Sequence, residues 1–107
     1  MHNSGLIRQE LGPEPYDDFM RFIDRVFADG KLSAKTKELI ALACAHVTQS
    51  PKCVEDHTRR AVALGASKEE MIEAAWVAVA MRAGGSVQQI RTVITVAANP
   101  HARTRSG

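Results

Sequence analysis

Apolar residues recur at helical spacing along most of the chain, and no segment alternates with the period of two that a strand requires. Phe19, Phe22, Ile23, Val26 and Phe27 share one stripe, which predicts a first helix over 13–28 with Gly30 ending it. Ser33 is a good N-cap for a second helix running to about Thr48. The centre of that helix, Leu39-Ile40-Ala41-Leu42-Ala43-Cys44-Ala45, has no polar face, so it must be covered on all sides. Five short helices in one protomer supply too little cover, and subunit contacts are therefore expected. A third helix is predicted over 51–64, with Gly65 giving the left-handed end. The capping box Ser67-Lys68-Glu69-Glu70 opens a fourth, which carries Met71, Ile72, Ala75, Trp76, Val79 and Ala80 until Gly84-Gly85 breaks it. A fifth buries Val87, Ile90, Val93, Ile94 and Ala97 and ends before Asn99-Pro100. Residues 1–12 have no sustained period and read as a flexible arm, and 99–107 as a mobile basic tail. The chain reads as all-α, with a single domain over 13–98.

Composition narrows this picture. A chain of 107 residues forms one domain with a modest core, and oligomerisation adds to it. Its 45% hydrophobic content with only 5% aromatics suits close-packed helices. A net charge of +2, with arginines scattered apart from Arg59-Arg60 and the tail, argues against nucleic acid. No apolar run is long enough to span a bilayer, and the N-terminal residues lack a signal-peptide core, so a reducing cytoplasm is expected. Two cysteines there make no disulfide scaffold, and any disulfide would be transient and chemical.

The candidate chemistry lies in Ser50-Pro51-Lys52-Cys53-Val54-Glu55-Asp56-His57. With Ser50 as N-cap and Pro51 first in the helix, Cys53 falls at the third position, where unpaired backbone N–H groups favour a thiolate. His57 follows at i+4 on the same face, within reach to take or return a proton. If the second and third helices form a hairpin, Glu38 lies ~15 Å back from the turn and His57 ~10 Å along the return. A Glu–His bond can bridge that gap, fixing the imidazole tautomer as an orienting acid does in a nucleophile–base–acid set. The plainer readings differ for each residue. Cys53 could be an inert cysteine near a helix start, His57 a solvated residue beside Asp56 and Arg60, and Glu38 a surface acid paired with Lys35 or Lys37. Cys44, among Ala and Leu, reads first as a small hydrophobe. His46 is expected to line the pocket or a subunit contact, Trp76 and Met71 to sit in core or interface, and His2 and His101 to have no role. Cys53, His57, Glu38 and His46 have ligand chemistry, but no second cluster completes a zinc site. No metal or cofactor is expected.

The segment Leu32–Ile94, about three-fifths of the chain, resembles the alkylhydroperoxidase D and carboxymuconolactone decarboxylase superfamily. The matching pieces are Leu32-Ser33-Ala34-Lys35-Thr36-Lys37-Glu38-Leu39-Ile40-Ala41-Leu42-Ala43 and Cys53-x-x-x-His57, then Ala61-x-x-x-Gly65-Ala66-Ser67-x-Glu69-Glu70 and Met81-x-x-Gly84-Gly85. The resemblance implies a small orthogonal bundle of about five to six helices, assembled as a homo-oligomer, a trimer or a hexamer. Its redox-active branch carries Glu followed by Cys-x-x-Cys-x-x-x-His. Glu38 and Ser50 stand 12 positions apart, as Glu and the first Cys do there, and Cys53 and His57 fall on the second Cys and the His. The departure is Ser50, which can cap the helix and donate to a sulfur but cannot form a disulfide. An external thiol could then resolve an oxidised Cys53, or Cys44 could do so from the preceding helix. The leading reading is a thiol-dependent peroxidase with Cys53 as nucleophile, His57 as base and acid, Glu38 orienting it, and Ser50 capping and bonding the sulfur. The alternatives are a lyase acting on a small carboxylated lactone, for which Arg59, Arg60 and Arg82 do not obviously converge, and a non-enzymatic oligomeric redox sensor.

Overall fold

A computed structural model of the chain describes residues 4–102. Among them are five α-helices and no strand: α1 (Ser4–Leu11), α2 (Pro13–Phe27), α3 (Ala34–Thr48), α4 (Pro51–Ala63) and α5 (Lys68–Ala98). Local chemistry sets most of the starts. Ser33, Ser50 and Ser67 each accept the N–H three residues on, and Glu70 completes a capping box by accepting from Ser67 N. The Ser67 N–H and, after it, the Lys35 ammonium hold the Glu70 carboxyl below its ordinary range. Prolines occupy the first turns of α2 and α4, where a missing N–H is harmless. Between α3 and α4 only Gln49 and Ser50 intervene, with Gln49 in the left-handed region at φ 56°.

Three boundaries differ from the sequence expectation. The arm expected at 1–12 contains α1, tied to α2 by a two-pronged Arg8–Asp17 contact at 2.7 and 2.9 Å. Its eight residues offer only Leu6, Ile7 and Leu11 as apolar positions, too short a run to read as a sustained period. The first predicted helix ends at Phe27 with Ala28 extended, and Gly30 is not in the left-handed region. Gly84-Gly85 does not break the fourth helix, because α5 runs unbroken for 31 residues. Each glycine costs a helix about 1 kcal/mol relative to Ala, a penalty that a well-capped, Ala-rich helix without an internal proline absorbs. Of the tail expected at 99–107, residues 103–107 lie outside the described residues, as do 1–3 of the arm.

The core sits where α3 packs against α4 and α5. It is built from Leu42, Ala45, Ala61 and Ala78, with Tyr16 buried on α2. Alanines at these positions let the helix backbones approach closely. From Val79 onward α5 leaves this core, and the face expected to be buried is open: Val93 is 66% and Ile94 63% exposed. Trp76, expected in core or interface, is also 66% exposed, so it belongs to no core within this chain. The radius of gyration is 19.2 Å, against about 13 Å for a compact domain of this length. Among the described residues no helix is long and apolar enough to cross a membrane.

Candidate active site

The short connection folds α4 back along α3, and the hairpin brings Glu38 and His57 together. His57 Nδ1 lies 2.6 Å from Glu38 Oε2. Glu38 is 4% exposed, and it is the buried charged residue of the core. A carboxylate in that position needs a partner, and the imidazole supplies it. An ionised carboxylate only accepts, so Nδ1 carries the proton and Nε2 is left for other chemistry. Phe27 stacks on the ring with centroids 5.8 Å apart and planes at 20°, holding its orientation from the α2 side. Neither lysine considered as a partner for Glu38 is near it in role. Lys35 pairs with Glu70 at 3.0 Å, and Lys37 donates to the Ala28 carbonyl at 2.6 Å.

His57 forms part of the walls of two cavities. One, of about 500 Å³, is bounded by Cys44 and Thr48 of α3, Cys53 and His57 of α4, and Phe27 of α2. The other, of about 330 Å³, is bounded by Glu38, His57, Arg60 and the α2 residues Phe19, Ile23 and Phe27. Cys53, His57 and Arg60 stand at i, i+4 and i+7 on α4, so a thiol, an imidazole and a guanidinium share one helix face. Both cysteines are free and exposed, and the cavity they share is walled mainly by apolar side chains.

Ser50 takes up only part of its expected place. Its hydroxyl accepts the Cys53 N–H at 3.4 Å, capping α4, but it makes no bond to the Cys53 sulfur. It lines a separate cavity with His46, Gln49 and Pro51. His46 thus lies away from the Glu38–His57 pair. Arg59 is paired with Glu55, and Arg82 donates to the Val47 carbonyl, so among the three arginines considered only Arg60 reaches the site. Cys44, read first as packing, lies on the cavity wall. The signal was in the spacing: Lys37, Ala41, Cys44 and Thr48 form one helical stripe, and all four line that cavity. Phe27, read only as core, had no sequence signal for its stacking role.

The sequence profile of the carboxymuconolactone decarboxylase family matches residues 13–95. A protein of Paracoccus denitrificans, uncharacterized protein 4 in the cox locus, is 46% identical over 80 residues, which are 75% of this chain and 72% of that protein. A solved structure from Methanobacterium thermoautotrophicum is similar with a TM-score of 0.73 at 32% identity, over 78% of this chain and 94% of its own. A carboxymuconolactone decarboxylase family protein of Thermotoga maritima, suggested to take part in an antioxidative response, gives a TM-score of 0.55 at 31% identity. That match covers 74% of this chain and 92% of the other.

Proposed function

This chain belongs to the carboxymuconolactone decarboxylase family, and from that premise we propose that it is a thiol-dependent peroxidase of peroxiredoxin type with Cys53 as its nucleophile. The observation that carries the reading is a thiol sharing a cavity with an imidazole that is bonded to a buried carboxylate. The Cys53 sulfur attacks one oxygen of a hydroperoxide. An S–O bond forms, the O–O bond breaks, and the alcohol leaves with a proton returned by His57 Nε2. Cys53 becomes a sulfenic acid, which one thiol condenses with to give a mixed disulfide and water, and a second thiol then releases the Cys53 thiol by exchange. Glu38 holds the imidazole in the productive tautomer, and Ser50 caps the helix that presents the sulfur. The antioxidative role suggested for the Thermotoga maritima relative supports the same direction. The exposed apolar half of α5 and Trp76 support assembly into a homo-oligomer, for which a trimer or hexamer is our reading. An external thiol in a reducing cytoplasm is the terminal reductant.

The test is hydroperoxide consumption with several thiol donors supplied. Cys53→Ser should lose it by about 100-fold or more. Consumption unchanged in that variant would remove the proposal. One observation favours a second reading, a lyase for a small carboxylated lactone. Arg60 lines the Glu38–His57 cavity and has no ion-pair partner among the described residues, so an anionic group could be held beside an acid–base pair. Under that reading, Cys53→Ser would spare lactone consumption while Arg60→Gln and His57→Gln would abolish it.

A further inference from the structure

We infer that Cys44 is the resolving cysteine: it attacks oxidised Cys53 across the shared cavity and forms an intramolecular disulfide between α3 and α4, replacing the pairing that Ser50 cannot make. The sulfenic acid it acts on rests on the peroxidase reading. The two thiols open into the same space, together with His57. On α3, Cys44 lies within the stripe Lys37, Ala41, Cys44 and Thr48, all of which face the cavity, so its side chain is not directed into the α3–α5 packing. Neither cysteine is enclosed: both are free and exposed.

The Glu38–His57 contact calibrates the hairpin. At about 1.5 Å rise per residue, Glu38 and His57 differ in height above the turn by ~6 Å, and their side chains still meet at 2.6 Å. Cys44 lies ~6 Å from the end of α3 and Cys53 ~3 Å from the start of α4, a difference of only ~3 Å. Closing the remaining gap requires Cβ atoms about 3.5–4.5 Å apart. That closure is assigned to the first turn of α4. Its serine cap, at 3.4 Å, is the longest of the three, against 3.1 Å at Ser33 and 3.0 Å at Ser67.

The chemistry balances without a further oxidant. The hydroperoxide oxidises Cys53 to the sulfenic acid and leaves as an alcohol. The Cys44 sulfur then attacks the Cys53 sulfur, the S–S bond forms, the S–O bond breaks, and the hydroxyl leaves as water with the proton given up by Cys44. An external dithiol returns both cysteines to thiols by exchange.

The full-length protein is treated with one equivalent of tert-butyl hydroperoxide, or separately with diamide, and digested with trypsin without reduction. Cleavage after Lys52 separates the cysteines, so the disulfide appears as peptide 38–52 joined to peptide 53–59. With hydroperoxide, that linked pair should dominate in wild type, migrating as monomer on denaturing gels. In Cys44→Ala, dimedone should trap Cys53 sulfenic acid at about ten-fold the wild-type level. Equal dimedone trapping in wild type and Cys44→Ala, or disulfides that join two chains, would overturn the inference while leaving the peroxidase reading intact. If hydroperoxide leaves Cys53 unoxidised in both proteins, the peroxidase reading fails and diamide decides. The 38–52/53–59 link under diamide then upholds the Cys44–Cys53 couple, and its absence overturns it.

Discussion

The α3–α4 hairpin and the second half of α5 are both helical and both rich in apolar residues, yet they are finished to different degrees. The hairpin carries a buried carboxylate with its imidazole partner, an aromatic ring stacked on that imidazole, and a buried leucine at 2% exposure. The distal half of α5 has equally apolar side chains, and among the described residues none of them is buried. The contrast separates what one chain completes from what it leaves exposed. The candidate chemistry is assembled within one chain, and the apolar surface of distal α5 is not buried by it.

The largest effect expected from breaking this comparison is in the hairpin. Glu38→Ala removes one partner of a buried pair and should lower stability by about 3 kcal/mol, read as a fall in the urea midpoint at constant slope. A change below about 0.5 kcal/mol would mean that the pair is not structural. In α5 the expected effect is on assembly. Ile90→Asp with Ile94→Asp should convert a higher-mass species to monomer in light scattering, because the substituted faces are solvent-exposed in the single chain. Wild type that is monomeric at every concentration would leave that apolar face unexplained.

Much of this was legible in the sequence. The starts of α3, α4 and α5 followed from Ser33, Ser50-Pro51 and Ser67 with Glu70, because caps are local chemistry. The Glu38–His57 bond followed from helix rise and a short turn, because a hairpin fixes relative height. The misses have a common cause in packing or its absence. Gly84-Gly85 reads as a break when each glycine is weighed alone, but helix continuity is cooperative over the flanking residues. Val87 to Ala97 have the pattern of a buried face, and pattern cannot say which molecule does the burying. Arg60 and Cys44 were identifiable by helical spacing, yet which faces bound a cavity depends on where α2 lies, and no local signal in the sequence places it.

Two smaller tests sharpen the reading of α5. Gly84→Ala should raise stability by about 1 kcal/mol, because the helix is continuous there, φ is negative and an added Cβ meets nothing within 4 Å. Destabilisation would indicate a kink or a close approach at this point. At the other end of the helix, the depressed Glu70 carboxyl gives a pH dependence. Because its folded pKa lies below the unfolded value, its contribution is full above the ordinary carboxylate range and is lost as pH falls through the folded value. Urea unfolding of wild type and Glu70→Gln should therefore differ at neutral pH and converge in acid. A gap that stays constant into acid would contradict this.

The central claim is that the sulfur of residue 53 works with the imidazole of residue 57 and, through it, with the carboxylate of residue 38. Its most direct test is the second-order rate of Cys53 sulfenic acid formation, measured by stopped-flow with tert-butyl hydroperoxide in wild type, His57→Gln and Glu38→Gln. The account predicts a fall of about 10²-fold or more for His57→Gln and a smaller fall for Glu38→Gln. Equal rates in all three proteins would contradict it.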